Sequence, residues 1–426
     1  MPSTASESGW LIKPRIILHG GAGNITRKNL PSESYHAYRS ALLSVLHSAS
    51  NLLSLPDCTA LDVATHAVTL LEDNPLFNAG KGAVFTRDGT NELESSIMVS
   101  NGYRRHGVGC MMLRRVRNPI KLAREMLVRE EEENGGGAQG HCQLSGEPLE
   151  HLAEAWGLEL VSPDYFWTKK RWEEQMRGLA EEEQEQSCSQ TPSIDECEYL
   201  PQGTVGCVVL DSSGMLCVAT STGGLTNKLS GRIGDTPTLG AGFWAEEWTE
   251  ECRSTPQMLY QPPTTASQLE SISRGDLSAI LAECLPTLAS YVPTARQIQM
   301  YTYDNHHTPT QGKRIRHAVA MSGTGNGDTF LRTNAVRTAA AISRFSPCTS
   351  LASAVTQIAG PDGEMQRSAS DRWGKTGEGE GGIIGIELVG QKAEVVWDFN
   401  CGGMFRAWID DRGSERFMVF KGEYTK

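Results

Sequence analysis

The chain has 426 residues, of which 39% are hydrophobic and 21% are charged, and its formal net charge is −12. This composition is that of a globular protein, with length for one large domain or up to three ordinary ones. The acidic balance argues against nucleic-acid binding, which needs a basic face to neutralise phosphates. No apolar run reaches the length that spans a bilayer, so no membrane partner is expected.

The amino terminus and the cysteines predict a cellular compartment. The opening stretch, MPSTASESGWLIKPRIILHG, lacks a charged segment followed by an apolar run, so no secretory signal is expected. The 11 cysteines are scattered without a C-x-x-C pair, which is typical of reduced thiols rather than of disulfides or a zinc site. We therefore expect a cytoplasmic protein, or a nuclear one, that is not secreted.

Strand-like and helical segments alternate through the first 130 residues. PRIILHGGAG predicts a strand that ends in a glycine turn, and helical spacing follows over residues 33–55 and 60–71. AVF, SSIMVS and HGVGCMML are typical of strands, and NPIKLAREMLVRE of a helix. Sheets covered by helices are the architecture that this alternation predicts.

The composition then changes twice. Residues 130–203 are rich in Glu, Gly, Gln and Ser, which predicts an acidic and largely mobile linker with one helical island near 148–156 and an aromatic stretch, DYFWTKKRW, that docks on the core. TVGCVVL and MLCVATST flank the turn signal DSSG and predict a hairpin, as do the two runs around GQK near residue 390. Residues 250–315 predict a helical insertion with polar loops.

Threonine is the candidate nucleophile, because no spaced His/Cys metal set and no G-x-S-x-G elbow is present. A Thr hydroxyl needs a base, and an N-terminal Thr can use its own α-amine, whose reference pKa is about 7.7–8.0. Thr204 is internal, so the Gly203–Thr204 bond would have to be cut first. Gly203 lacks a Cβ atom, which eases backbone strain beside an attacking hydroxyl.

The chain resembles the N-terminal-nucleophile hydrolases of the plant-type asparaginase and isoaspartyl peptidase group, which is related to threonine aspartase. Five stretches carry the resemblance in the family's order: ILHGGAG, NPLFNAGKGAVFTRDGTNELESSIM, the run from GTVGCVVLD to GRIGDTPTLGAG, SGTGNGD and FNCGGMFRA. The implied fold is α/β (α+β), a four-layer αββα sandwich. Residues 1–203 would form the α-chain half of one domain and residues 204–426 its β-chain half.

The resemblance implies a role for each matching residue. Thr204 would be the nucleophile, and Thr222 would hydrogen-bond it. Thr324 and Gly325 would form the oxyanion hole. Arg232 would clamp the substrate α-carboxylate, where a guanidinium fork fits, and Asp235 would accept the α-ammonium. Asn78 would line the site beside the nucleophile.

The resemblance also implies partners. No cofactor is required for catalysis, but the family binds a structural sodium ion through backbone carbonyls, which here would belong to Leu71, Glu72, Asn74, Phe77, Ala79 and Lys81. The substrates would be small amides or peptides, with protein substrates as an alternative. The assembly would be a homodimer of α/β pairs.

Four functions stay open at this point. The first is hydrolysis of L-asparagine or β-aspartyl peptides by a chain that cleaves itself. Chain length favours a threonine aspartase-type endopeptidase, whereas Asp235 and Gly203 depart from that enzyme's pattern. Glycosylasparaginase is a further alternative, although a secretory signal would be expected for it. An uncleaved scaffold would have no reason to keep Thr204, Thr222 and Thr324 together with their partners.

Overall fold

The protein is described by a computed structural model, which covers residues 12–187, 203–251 and 314–422. The strands in these ranges are β1 Arg15–Gly23, β2 Leu93–Asn101, β3 Arg104–Leu113, β4 Gln143–Ser145, β5 Val205–Leu210, β6 Leu216–Thr222, β7 Phe243–Glu251, β8 Arg314–Gly325, β9 Gly381–Val389, β10 Lys392–Phe399, β11 Gly403–Ile409 and β12 Glu415–Met418.

The helices of the same ranges are α1 Ser32–Leu53, α2 Ala60–Glu72, α3 Pro119–Arg129, α4 Glu147–Ala155, α5 Lys169–Ser187, α6 Gly327–Thr333, α7 Ala335–Phe345, α8 Leu351–Ala359 and α9 Glu364–Ser368. Short 3₁₀ turns lie at Gly80–Gly82, Glu133–Gly137, Pro163–Phe166 and Ser370–Arg372. None of the helices within these described stretches is long and apolar enough to cross a membrane.

Two sheets form the centre of the protein. The larger has eight strands in the order β12-β11-β1-β5-β6-β2-β3-β4, and the smaller has four in the order β10-β9-β8-β7. Alternate side chains of a strand point to opposite faces. Along β8, Ala318 and Ala320 belong to the apolar cluster shared with the larger sheet, whereas Val319 and Met321 pack with α7 and α8. Helices α1 to α3 pack on the far side of the larger sheet. The predicted four-layer αββα sandwich is confirmed.

The predicted central hairpin is also confirmed. Strands β5 and β6 pair antiparallel from Val205 opposite Ser221 to Leu210 opposite Leu216, and both strands are buried along their full length. Burial on both faces explains why their sequences are continuous small and apolar runs. At the turn, one Asp211 oxygen accepts hydrogen bonds from Ser213 and Met215, and the other accepts from the first amide of α2.

The stretch after α3 differs from the predicted mobile linker. Helix α4 matches the predicted island, but α5 adds 19 helical residues that the polar composition did not suggest. The reason is tertiary: Phe166 and Arg171 are buried against the rest of the fold. Residues 188–202, and residues 252–313 of the predicted insertion, lie outside the described part of the chain. The division at residue 203 stays a prediction.

Candidate active site

Thr204 lies immediately before β5 and is only 7% exposed. Its Oγ1 atom is 2.9 Å from Oγ1 of Thr236, a fully buried residue. Thr236 follows Asp235 in the chain, so the predicted nucleophile touches the neighbour of the predicted ammonium acceptor. Sequence reasoning missed Thr236, because only the fold brings positions 32 residues apart into contact.

Gly203 occupies a space that no other residue fits. A Cβ atom built on it would lie 2.5 Å from Cα of Gly21, 2.6 Å from the amide nitrogen of Ala22 and 2.7 Å from Oγ1 of Thr324. Two of these neighbours are backbone, which cannot yield as a flexible side chain does. The glycine is therefore needed for close approach, not for a positive φ. The predicted scissile residue packs directly against the predicted oxyanion-hole hydroxyl.

Replacing Gly203 with alanine should slow cleavage of the Gly203–Thr204 bond at least about tenfold, because the added methyl group has no room between Gly21, Ala22 and Thr324 and must shift the backbone at the scissile bond. The measurement is the fraction of intact chain against time, followed by mass spectrometry. Gly422→Ala is the matched control, because a Cβ atom there meets nothing within 4 Å. Equal cleavage rates in the two variants would contradict this account of Gly203.

The predicted oxyanion pair ends β8, where Thr324 lies opposite Gly382 and Gly325 opposite Gly381. The Thr324 side chain is fully buried, and its hydroxyl has no hydrogen-bond partner among the described residues. Gly325 has φ +145°, and a Cβ atom there would lie 2.4 Å from the Glu380 carbonyl oxygen. The Asn326 amide donates to that same oxygen at 2.8 Å, which fixes the loop. An unpaired buried hydroxyl is available to a developing negative charge.

Asn78 and Thr222 lie where two loops meet. The side chain of Asn78 donates to the carbonyl of Gly224 at 2.8 Å and accepts from the amide of Val84 at 3.0 Å, while its carbonyl accepts from Gly223. The Thr222 hydroxyl accepts from the Gly224 amide at 3.0 Å. The predicted bond from Thr222 to Thr204 stays a prediction for the cleaved protein.

Arg232 and Asp235 flank the small space beside Gly327. A Cβ atom built on Gly327 would lie 2.7 Å from Asp235 Oδ1 and 2.9 Å from an Arg232 terminal nitrogen. Arg232 also donates to the half-exposed carboxylate of Asp328 at 3.1 Å, which shows that its guanidinium reaches a carboxylate on this side. Sequence reasoning missed Asp328, although it stands only three residues after Gly325.

Asp235 is buried, and its Oδ2 atom has no hydrogen-bond partner within the described residues. Burial, reinforced by the nearby carboxyl of Glu94, raises the pKa of Asp235 to about 7. Glu94 is itself buried, accepts from the Gly234 amide at 2.9 Å, and has its own pKa raised by burial. The buried Lys228 ammonium and Arg232 both act on Glu94. Asp235, in contrast, has an oxygen without a described partner, to which a substrate cation could bind.

His19 is a further buried polar residue near the nucleophile that the sequence did not single out. Its Nε2 atom is 2.6 Å from Oγ of Ser322, and a Cβ atom on Gly206 would lie 2.3 Å from the same nitrogen. Burial lowers the pKa of His19 to about 3, so the imidazole is neutral at physiological pH. We assign it to packing around the start of β5.

The loop after α2 is where the structural sodium ion was predicted. Cβ atoms built on Gly80 and Gly82 would lie 2.4 Å from the Glu72 carbonyl oxygen and 2.1 Å from that of Phe77. These glycines therefore allow the carbonyl oxygens of Glu72 and Phe77 to approach the backbone closely, and carbonyl oxygens are a ligand type that hard cations prefer. The six predicted sodium ligands all belong to this loop or to the end of α2, and their role stays a prediction.

Comparison with known proteins gives one family. A family model described as Asparaginase matches residues 12–252. An isoaspartyl peptidase of Salmonella typhimurium is 42% identical over 233 residues, covering 55% of this chain and 70% of that protein. A putative isoaspartyl peptidase/L-asparaginase of Dictyostelium discoideum is 37% identical, with 55% and 71% covered, and a plant-type L-asparaginase of Pyrococcus furiosus is 34% identical, with 54% and 70% covered.

Proposed function

Because the chain belongs to the asparaginase family, as residues 12–252 show, we propose that it is a self-cleaving N-terminal-nucleophile hydrolase of L-asparagine and β-aspartyl peptides. The observation that carries the substrate assignment is the buried Asp235 carboxyl beside Arg232. A free amino acid or an N-terminal β-aspartyl residue has both an α-ammonium and an α-carboxylate. The pair of side chains matches these two charges.

Self-cleavage begins with attack of the Thr204 hydroxyl oxygen on the carbonyl carbon of Gly203. The new C–O bond gives a tetrahedral centre whose oxyanion lies toward the Thr324 hydroxyl, consistent with the contact between Gly203 and Thr324. The C–N bond then breaks as the proton from the attacking hydroxyl passes to the Thr204 nitrogen, which frees the α-amine and leaves an ester between Gly203 and the Thr204 oxygen. Water hydrolyses the ester, releases the Gly203 carboxylate and restores the Thr204 hydroxyl.

Turnover uses the same atoms on an external amide. The neutral Thr204 amine removes the hydroxyl proton as the oxygen attacks the substrate β-carbonyl, and Thr324 with the Gly325 amide receives the oxyanion. The proton passes to the departing ammonia or peptide amine, which leaves an aspartyl ester on Thr204. Water, activated by the same amine, releases aspartate and restores the enzyme.

Threonine aspartase-type cleavage of proteins is the second candidate. Its substrate has an amide, not an ammonium, on the α-nitrogen, so Asp235 would lack the cation that its buried carboxylate is placed to accept. Gly203 also stands where an aspartate would be expected in that enzyme. The chain length that favours this candidate comes partly from residues 130–187, which here pack on the fold.

N-acetylation of L-asparagine should lower kcat/KM of the wild-type enzyme by about 100- to 4,000-fold. The acetyl group removes the cation that Asp235 needs, and breaking a buried charge pair costs about 3–5 kcal/mol, where each 1.4 kcal/mol is tenfold. Asp235→Asn should lose this discrimination. Because the pKa of Asp235 is raised to about 7, protonation below that pH weakens ammonium binding, so KM for asparagine should rise as the pH falls.

Asp371→Asn, at an exposed position, is the control and should keep both the discrimination and the pH profile of the wild type. A protein substrate cut after aspartate is assayed beside asparagine and a β-aspartyl dipeptide. Cleavage of the protein alone would overturn the proposal in favour of the endopeptidase. Equal rates on free and acetylated asparagine would remove Asp235 from its assigned role.

We further propose a bound ion, an assembly and a cellular compartment for the enzyme. A structural Na⁺ held by the carbonyls of the loop after α2 would stabilise that loop and take no part in bond breaking. The cleaved pairs would form a homodimer, as the family resemblance implies. The scattered cysteines support a reducing compartment, the cytosol or the nucleus.

A further inference from the structure

Helix α5 lies on the chain between the α4 region and the proposed cleavage site, and one of its side chains is a fully buried arginine. Arg171 has a side-chain exposure of 0% and forms an ion pair with Glu174 at 2.9 Å. Its Nε donates to the carbonyl oxygen of Gly82 at 2.7 Å, and Nη2 donates to that of Leu76 at 3.1 Å. The Arg171 guanidinium therefore joins two points of the loop over residues 76–82.

Those two carbonyls bracket Asn78, two residues after Leu76 and four before Gly82. Asn78 in turn holds Val84 and the Gly223–Gly224 segment by its own side chain and carbonyl. The chain of contacts runs from Arg171 through the 76–84 loop to the end of β6, where Thr222 lies. Arg232 and Asp235, the proposed substrate clamp, are not part of this chain of contacts.

The clamp is anchored by other groups. One oxygen of Glu92 accepts from Arg114 and Ser230, each at 2.6 Å, and the other accepts from the Gly231 amide at 2.9 Å. Glu92 thus fixes the turn that leads into Arg232. Different side chains therefore support the two halves of the site: Arg171 bonds the loop of Asn78, and Glu92, just before β2, bonds the turn before Arg232.

We propose that Arg171 is a positioning residue that holds the loop of Asn78 against the end of β6, so that α5 remains a working part of the enzyme after the chain is cut. As far as turnover is concerned, this inference rests on the proposed function. Arginine is suited to the task, because its planar fork can bind two carbonyls at once and Glu174 balances its charge. Lysine would keep the charge but lacks the fork.

The first test measures kcat and KM for asparagine. Arg171→Lys should lower kcat about tenfold and Arg171→Ala up to about a hundredfold, with KM within twofold of the wild type, because a small misplacement of a catalytic group reduces the rate without changing ground-state binding. Glu92→Gln should instead raise KM and leave kcat near that of the wild type. Lys169→Ala, whose side chain is 80% exposed on the same helix, is the matched control.

The second test does not depend on activity. In a Thr204→Ala chain, Arg171→Lys should speed hydrogen exchange at the amides of Gly82, Val84 and Gly223. Exchange at the amides of β5 and β6 should not change. This measurement separates the two proposals, since a wild type that neither cleaves itself nor hydrolyses asparagine would defeat the function but leave the exchange result intact. Wild-type kcat in Arg171→Lys, an equal change of kcat and KM, or unaltered exchange would each overturn the role of Arg171.

Discussion

Replacing Thr204 with alanine should leave a single uncut chain whose amidase activity is at background. The Thr204 hydroxyl oxygen is the attacking atom in both reactions. The neighbouring Thr236 hydroxyl cannot replace it, because Thr236 stays inside the chain and has no α-amine to act as its base. The fold should persist, since the Thr204 side chain contributes one hydroxyl contact just before β5, and β5 itself is apolar. Mass spectrometry of the intact protein and an ammonia-release assay make the measurement.

Thr204→Ser is the control for this variant. It keeps the hydroxyl and, after cleavage, the α-amine, so it should still cut itself and turn over asparagine, though more slowly. Full activity in Thr204→Ala would contradict the nucleophile assignment outright. Loss of cleavage in both variants would mean that cleavage depends on the methyl group of Thr204 and not on its hydroxyl alone.

Replacing Thr324 with valine should lower kcat by about 10²–10³-fold and slow self-cleavage similarly, while KM stays near that of the wild type. Removing one oxyanion donor has this effect because the donor acts on charge that exists only in the transition state. The melting temperature should not fall. The Thr324 hydroxyl is buried without a hydrogen-bond partner in the described residues, so its removal relieves an unsatisfied group.

Thr324→Ser restores the hydroxyl and should recover most of kcat. The combination of a lower rate with unchanged or higher thermal stability separates a catalytic role from a folding defect. A kcat for Thr324→Val within threefold of the wild type would contradict the oxyanion assignment.

The sequence predicted the central architecture because its signals are local. The hairpin around DSSG follows from two buried apolar runs and an aspartate that bonds its own turn, all within 20 residues. The alternation that separates the two cores along β8 is equally local. The candidate residues Gly203, Thr204 and Thr324 came from a resemblance, and the structure adds a physical reason for Gly203, which is lack of space.

The parts that could not be predicted depend on contacts between distant positions. Arg232 meets Asp328 across 96 residues, and Glu94 meets Gly234 across 140. A buried carboxyl such as Glu94 has no local signature, because a strand residue of this type is usually solvated. Thr236 was hidden for the same reason. Its hydroxyl matters only because the fold brings it to Thr204.

Helix α5 shows how composition can mislead. Its sequence, KKRWEEQMRGLAEEEQEQS, is polar enough to resemble a linker. Arg171 and Gln175 nevertheless bury their side chains and donate to carbonyls of the fold, so backbone acceptors elsewhere in the chain decide that the segment is ordered. Propensity and charge alone carry no information about such partners.

The most direct test of the whole account is the intact mass and the N-terminal sequence of purified protein after prolonged incubation. We predict two fragments, residues 1–203 and 204–426, and a new N-terminus that reads Thr-Val-Gly-Cys. That result would place the nucleophile and its amine at one residue, as the mechanism requires. A chain that remains whole yet hydrolyses asparagine, or a new N-terminus at any other residue, would contradict it.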